Sequence, residues 1–374
     1  MQRYALPQLP ESMNQPLVQT ARLASPSEFS SCLRWALSRC EPARAETVQR
    51  QLAVGRVQQR PIVTAAVGSG EQWSAVAIAI PQPAAAATLI LLADQPFPAE
   101  TVGRSDDSDQ ASRAISRSYW PTDPSDSPLV RVLQPLTRKL RSLGVTFLQA
   151  STETAGQAQR LRSVGFRPIG ELALMSLEAE EFAGTLRTAE AALGTAASRR
   201  LDARCEGVPL EQAGPDWQST LTGLLAETFR QTLDCPALAN FRTPAEIARG
   251  YLDSPAMDLV GSHFLRIDGE WAAVLVLSRH DSAAPPVPSF AGHDLASEGG
   301  PAAFLELSYM GVTCRWRGAG LGVRLVSAAV SQAMHSQAAR IVLAVDLENG
   351  PAVKIYRRLG WQECLREVVW GLRL

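Results

Sequence analysis

Apolar and polar positions follow one order along this chain, and that order occurs twice. In the second half, Asp216 to Thr232 and Thr243 to Leu252 carry apolar residues at helical spacing. Phe264 to Ile267 and Trp271 to Leu277 then read as two strands joined at Asp268-Gly269, a tight-turn signal. A strand at Phe304 to Val312, a helix at Leu321 to Gln337, a strand at Ile341 to Val345 and a helix at Pro351 to Leu359 follow, and Gly360-Trp361 opens a last strand. The first half offers helices at Ser25 to Ser38 and Ala45 to Val54, then strands at Ile62 to Val67 and Trp73 to Ile80. It continues with a helix at Leu129 to Leu143, a strand at Val145 to Ala150, a helix at Thr154 to Val164, and Gly165-Phe166. Self-similarity on this scale predicts two copies of one arrangement, over 1–183 and 200–374, with the Ala-rich segment 184–199 as a helical linker.

Two features complicate that pattern. Ala75 to Ala93 is apolar enough to suggest a membrane span, but Pro81-Gln82-Pro83 cuts it into strand-sized runs, so two buried strands are expected and no membrane. Pro96 to Ser127 and Asp281 to Pro301 are rich in Ser, Pro, Ala, Gly and Asp and predict long loops or insertions.

Composition narrows the class of protein. With 374 residues, 46% hydrophobic and 20% charged, the chain suits a globular protein of two domains. A net charge of −1 argues against a sequence-independent nucleic-acid binder, which needs a basic footprint. The six cysteines are scattered without C-x-x-C pairs or histidine clusters, so neither metal nor disulfide framework is expected. That usage and the absence of a signal-peptide core in Met1 to Asn14 point to the cytoplasm.

The sharpest chemical signal is Arg317-Gly318-Ala319-Gly320-Leu321-Gly322, which follows an apolar strand and opens a helix. Backbone N–H groups at a helix N-terminus attract anions, and glycines let a phosphate approach them closely. Arg315, Arg317 and Arg324 add positive charge. A Walker loop is excluded because Val323-Arg324 stands where Lys-Ser/Thr is required. A dinucleotide fold is a rival, since Asp346 ends the next strand. Against it, the glycines run G-x-G-x-G and too little chain follows to finish a doubly wound sheet.

The loop's spacing resembles the R/Q-x-x-G-x-G/A pyrophosphate loop of the GNAT superfamily of N-acetyltransferases. Met310-Gly311-Val312 before it and Asn349, Ala352, Tyr356 and Leu359-Gly360-Trp361 after it extend the resemblance over most of the second half. Cys314 and Trp316 depart mildly from the superfamily's pattern. The resemblance implies an α/β fold of two tandem GNAT-like domains, each a mixed, mostly antiparallel sheet flanked by helices. It implies acetyl-CoA as cosubstrate and a small-molecule or peptide amine as acceptor. Met310 and Val312 would contact the pantetheine arm through their backbones. Arg317, Gly318, Ala319, Gly320, Leu321, Gly322 and Val323 would cradle pyrophosphate. Asn349 would touch the pantetheine arm, although a plain helix N-cap explains it equally well.

Two residues are candidates for proton transfer. Tyr356 occupies the superfamily's general-acid position, where a phenol protonates the leaving thiolate; the competing reading is a packed core aromatic. Glu306 sits mid-strand, on one face with Ser308 and Met310 by simple alternation, and is either a general base at a cleft or a solvated strand residue. The step from Glu306 to Val312 is similar to that in mycothiol synthases, tandem members of the superfamily in which the matching glutamate is the base. None of the four histidines joins a motif, and no G-x-S-x-G elbow supports a hydrolase. A module that binds acyl-CoA without turnover is the alternative function.

Overall fold

In the computed structural model the described residues are 21–40, 45, 48–49, 51–52, 60–69, 72–94, 127–194, 204–280 and 303–374. The loops expected at Pro96 to Ser127 (apart from Ser127 itself) and Asp281 to Pro301, the chain's first twenty residues and the whole of 53–59 lie outside them. The first half runs β1 (Ala21–Leu23), α1 (Phe29–Leu37), β2 (Val63–Ser69), β3 (Gln72–Gln82), β4 (Ala86–Asp94), α2 (Pro128–Ser142), β5 (Phe147–Thr152), α3 (Ala155–Ser163) and β6 (Arg167–Glu178). Helix α4 (Phe182–Leu193) leads to β7 (Cys205–Pro209), α5 (Trp217–Phe229), α6 (Pro244–Leu252), β8 (His263–Ile267), β9 (Glu270–His280) and β10 (Phe304–Val312). The chain ends with α7 (Leu321–His335), β11 (Arg340–Asp346), α8 (Gly350–Arg358) and β12 (Gln362–Arg373).

All twelve strands form one sheet, in the order β1-β2-β3-β4-β5-β12-β6-β11-β10-β9-β8-β7. Read inward from either edge, five consecutive strands of one half are followed by the last strand of the other half. Only β4–β5 and β10–β11 are parallel, so each half is mixed and mostly antiparallel as expected. The halves exchange core residues as well as strands. Ala173, Met175 and Leu177 of β6 are buried in the second half's core, and Trp370 of β12 is buried in the first half's core, where its indole donates to Thr152 Oγ1 at 2.8 Å.

Local sequence explains why these strands are so apolar. Ala75 to Ile80 is covered on one face by α2, through Val132, Leu136 and Leu140, and on the other by α1 and the helical residues Val48 and Leu52. Strands buried on both faces lose the usual alternation. The β3–β4 turn places Ala84 and Ala85 at positive φ, and no helix among the described residues is long and apolar enough to cross a membrane.

In the second half, α7 and α8 cover one face of the sheet, and α5 and α6 cover the other. The described part of the segment expected to link the halves, residues 184–194, continues a helix that packs against this core. Phe182 and Ala189 of α4 pack in the cluster around α7, and Thr185 Oγ1 donates to the carbonyl of Leu359 at 2.8 Å.

The internal repeat extends to backbone detail. Gly165 and Gly360 both have φ of 91° after the last helix of their half. Thr154 and Asn349 both cap that helix with a side-chain oxygen, accepting from Gln157 N and Ala352 N.

Candidate active site

The site begins where two parallel strands separate. β10 and β11 pair only at Phe304–Arg340, Leu305–Ile341 and Glu306–Val342, and then diverge. A bulge follows at once, with the β9 partner stepping from Leu277 opposite Leu307 to Val276 opposite Tyr309. A bulge bends its strand and reverses the alternation beyond it. Leu305 and Leu307 therefore pack toward α7, and so do Met310 and Val312, while Tyr309 packs with α5 and α6. Glu306 lies on the α5–α6 side. Simple alternation had placed it on one face with Met310, and the bulge corrects that.

Backbone direction aims Met310 and Val312 at the gap. Thr313 N donates to Ala272 O toward β9 at 3.0 Å. Successive N–H groups along a strand point to opposite edges, so those of Val312 and Met310 face away from β9, into the splay.

The glycine loop stands at the open end. Gly318 and Gly320 have φ of 78° and 85°, and Gly320 is the N-cap of α7. A glycine N-cap brings no side-chain acceptor; Val323 N donates to the Gly320 carbonyl at 3.1 Å, and the N–H groups of Leu321 and Gly322 are left to attract an anion. Gly322 serves packing: a Cβ there would meet Ile355 Cδ1 at 2.9 Å, so its absence lets α7 lie against α8.

The arginines do not all serve the loop. The guanidinium of Arg317 donates to four carbonyls, those of Val312, Thr228, Arg230 and Gln231, at 2.9–3.2 Å. It holds the end of α5 against β10, and only its backbone is left to the loop. Arg315 is paired with Glu270, the first residue of β9.

Tyr356 comes from α8, whose first turn contains Pro351 and whose N-cap is Asn349. The residue is 4% exposed and its ring packs against Trp361 at 5.6 Å. Burial, and then the negative charge of Asp234, push its phenol well above the usual range. Its hydroxyl has no hydrogen-bond partner among the described residues. A core ring with an unengaged hydroxyl satisfies the packing reading and keeps the proton donor available.

Glu306 accepts a hydrogen bond from His280 Nε2 at 2.9 Å, and the imidazole stacks on Phe304. His280 joins this site although no sequence motif includes it. Its register opposite Phe304 makes it a neighbour of Glu306, and that register is not legible in one sequence.

Asp234 was also missed. It lies between α5 and α6 in a turn where Gln231 and Cys235 take positive φ. Its Oδ1 accepts from Asp346 N at 3.4 Å, while Asp346 Oδ2 accepts from Cys235 N at 2.8 Å. Burial, with Asp346 as a like-charged neighbour, raises its pKa. Among the described residues, no group of three or more His, Cys, Asp and Glu could hold a metal ion.

Residues 227–361 match the model of the acetyltransferase (GNAT) family. A mycothiol acetyltransferase from Corynebacterium aurimucosum is 29% identical over 171 residues, 43% of this chain and 56% of the relative. One from Arthrobacter sp. is 37% identical over 73 residues, 20% of this chain and 23% of the relative. The matched stretches thus span about half, or less, of these relatives. Among solved structures, the glucosamine N-acetyltransferase region of a fungal multi-domain β-N-acetylglucosaminidase covers 98% of this chain and 40% of its own, with 11% identity and a TM-score of 0.53, a likeness of fold. The glycine loop and the splayed parallel strands lie within the stretch that matches the GNAT acetyltransferase family, and the repeated architecture on one sheet makes that stretch part of the second of two similar halves.

Proposed function

We infer that this protein moves an acetyl or short acyl group from acetyl-CoA to an amine, in the second half of the chain. The observation that carries the reading is the parting of β10 from β11 directly beside the glycine-rich start of α7. A thioester arm lies in that gap, pairing with the backbones of Met310 and Val312 and passing Asn349. Its pyrophosphate rests on the N–H groups from Arg317 to Val323. Glu306, oriented by His280, accepts a proton from the attacking nitrogen, and Tyr356 donates one to the departing thiolate. The cosubstrate supplies the reactive thioester, and the protein supplies binding, orientation and proton transfer.

The test is Gly320→Val. A β-branched residue is strained at a φ of 85°, and its methyl groups would occupy the space the phosphate needs. Acetyl-CoA binding, followed by calorimetry on the folded variant, is expected to vanish. Unchanged affinity would remove the loop from the cofactor site.

A further inference from the structure

We propose that the Asp234 carboxylate receives the ammonium group of the acceptor and takes its first proton, an inference that rests on the acyl-transfer reading. Its location follows from backbone directions. Leu347 N donates to Glu171 O on β6 at 2.9 Å, so the preceding N–H, that of Asp346, points to the opposite edge of β11. That edge faces the gap left by β10, and Asp234 Oδ1 is the acceptor there. The carboxylate thus stands inside the splay, where a carbonyl of β10 would otherwise be.

Three phenols from three elements feel its charge. The negative charge of Asp234 acts on Tyr356 of α8, Tyr309 of β10 and Tyr251 of α6, in each case after burial as the larger cause of a raised pKa. For Tyr309 burial pushes the value up to about 12. The other titratable groups around it are Asp346 and Cys235, and beyond the phenols Glu306 and Arg242, which act on Tyr251, and Arg317, which acts on Tyr309.

Neither arginine pairs with Asp234: Arg242 donates to the carbonyls of Ala84 and Glu246, and Arg317 to its four carbonyls. Asp346 is 1% exposed, and its own oxygens are already occupied by Cys235 N and Glu348 N. Asp234 has no ion pair among the described residues, and its Oδ2 has no hydrogen-bond partner there. Even a half-buried carboxylate gives up solvation that, without a cation, nothing replaces. The unengaged hydroxyl of Tyr356, whose phenol feels the charge of Asp234, is a second group without a partner among the described residues. A primary ammonium fits both, donating N–H to the carboxylate and to phenol oxygens.

The same charge excludes a class of acceptors. An amine with a carboxylate on the adjacent carbon would bring that carboxylate toward Asp234 and Asp346, and like charges repel. The fitting substrate is therefore a primary amine with no neighbouring carboxylate. The chemistry balances. Asp234 takes one proton from the ammonium, and the freed lone pair forms the C–N bond as the C–S bond breaks. Glu306 takes the nitrogen's next proton, and Tyr356 protonates the thiolate. Asp234 and Glu306 release their protons to solvent and Tyr356 regains one, for a net release of one proton per turnover.

The first half positions this carboxylate pair. At Gly170 of β6 an added Cβ would lie 2.9 Å from Asp346 Oδ2 and 3.1 Å from Cys235 Sγ, so strand and acid fit only with glycine there.

The experiment compares tyramine with tyrosine, agmatine with arginine and cadaverine with lysine, using wild type, Asp234→Asn, Asp234→Glu and Gly170→Ala. In wild type each amine is expected to outpace its amino acid. Asp234→Asn is expected to lower kcat/KM about 10²-fold, to narrow that discrimination and to leave acetyl-CoA affinity by calorimetry unchanged. Its rate should then follow the amine's own ionisation as pH rises. Asp234→Glu should recover part of the rate, and Gly170→Ala should raise KM for the amine more than it lowers kcat. Wild-type kcat/KM in Asp234→Asn, or faster turnover of the amino acids, would overturn the proposal. So would failure of acetyl-CoA-bound wild type to acetylate any of the three amines. Wild type that binds no acetyl-CoA would instead defeat the acyl-transfer reading beneath it.

Discussion

Arg317 Nη2 donates to the carbonyl of Thr228 at 2.9 Å, and through this bond and three more the residue ahead of the glycine loop closes the end of α5. Helix ends leave carbonyls without intrahelical partners, and a guanidinium can satisfy several at once. Arg317→Ala should cost about 1.5 kcal/mol of stability, the low end for hydrogen bonds to a charged group because the guanidinium is exposed. Acetyl-CoA affinity should fall less than in Gly320→Val. Thermal melts and calorimetry on both variants check this, and a larger affinity loss for Arg317→Ala would mean that its side chain reaches the phosphates.

Tyr356→Phe keeps the ring against Trp361 and removes only the hydroxyl. Turnover is expected to drop about 10²–10⁴-fold with acetyl-CoA affinity nearly intact. Glu306→Gln should slow the reaction and change its pH profile, since an amide cannot accept the proton. Steady-state rates across pH, set beside calorimetry, test both; wild-type turnover in the two variants would place the proton transfers elsewhere.

One acyl-CoA per chain is the expected stoichiometry, although the halves match. The parting of β4 from β5 after three residue pairs copies that of β10 from β11. The cavity it encloses is only about 130 Å³, and Arg160 pairs with Asp94 at its wall, 2.9 Å apart. Sites for drug-sized ligands run to roughly 300–1,000 Å³. Leu161 stands where the second half has Tyr356, and Thr154 where it has Asn349. The stretch after β4 contains Asp106, Asp107 and Asp109, outside the described residues, and no R-x-x-G-x-G. Titration with acetyl-CoA should saturate at one equivalent, and two would restore a cofactor role to the first half.

Asp234 also predicts a dependence of stability on pH. Its pKa in the folded protein is raised above the ordinary 3.8, chiefly by burial. Folding therefore favours the protonated form. That contribution is full below 3.8 and is lost as pH climbs through the raised value. Asp234→Asn should melt higher than wild type at about pH 7, and the difference should shrink on acidification toward 3.8. A variant less stable than wild type at neutral pH would assign the carboxylate a structural role instead.

Elements with strong periodicity were legible in the sequence. Helices α5 to α8, the β8–β9 hairpin at Asp268-Gly269 and the Gly165 and Gly360 turns all stand where local pattern places them. The strand exchange was not legible, because β6 and β12 carry the same apolar composition whichever half they join. Alternation misplaced Glu306 relative to Met310, since one extra residue at the bulge reverses every face beyond it. Asp234 and His280 gave no signal for a related reason. Each gains its meaning from a partner distant in sequence, Asp346 for one and Glu306 for the other.

The exchange of last strands also governs how the molecule meets other molecules. Two separate sheets would carry four unpaired edges, each a template for adding another chain's strand. Among the described residues, merging them at β12 and β6 leaves two, and both are short: β1 has three residues there, and β7 has five and ends at Pro209. A substitution that parts β12 from β6 would thus do more than loosen the joint. It would expose long, apolar ladder edges to neighbouring copies, and the first visible symptom would be aggregation, ahead of any loss of cofactor binding.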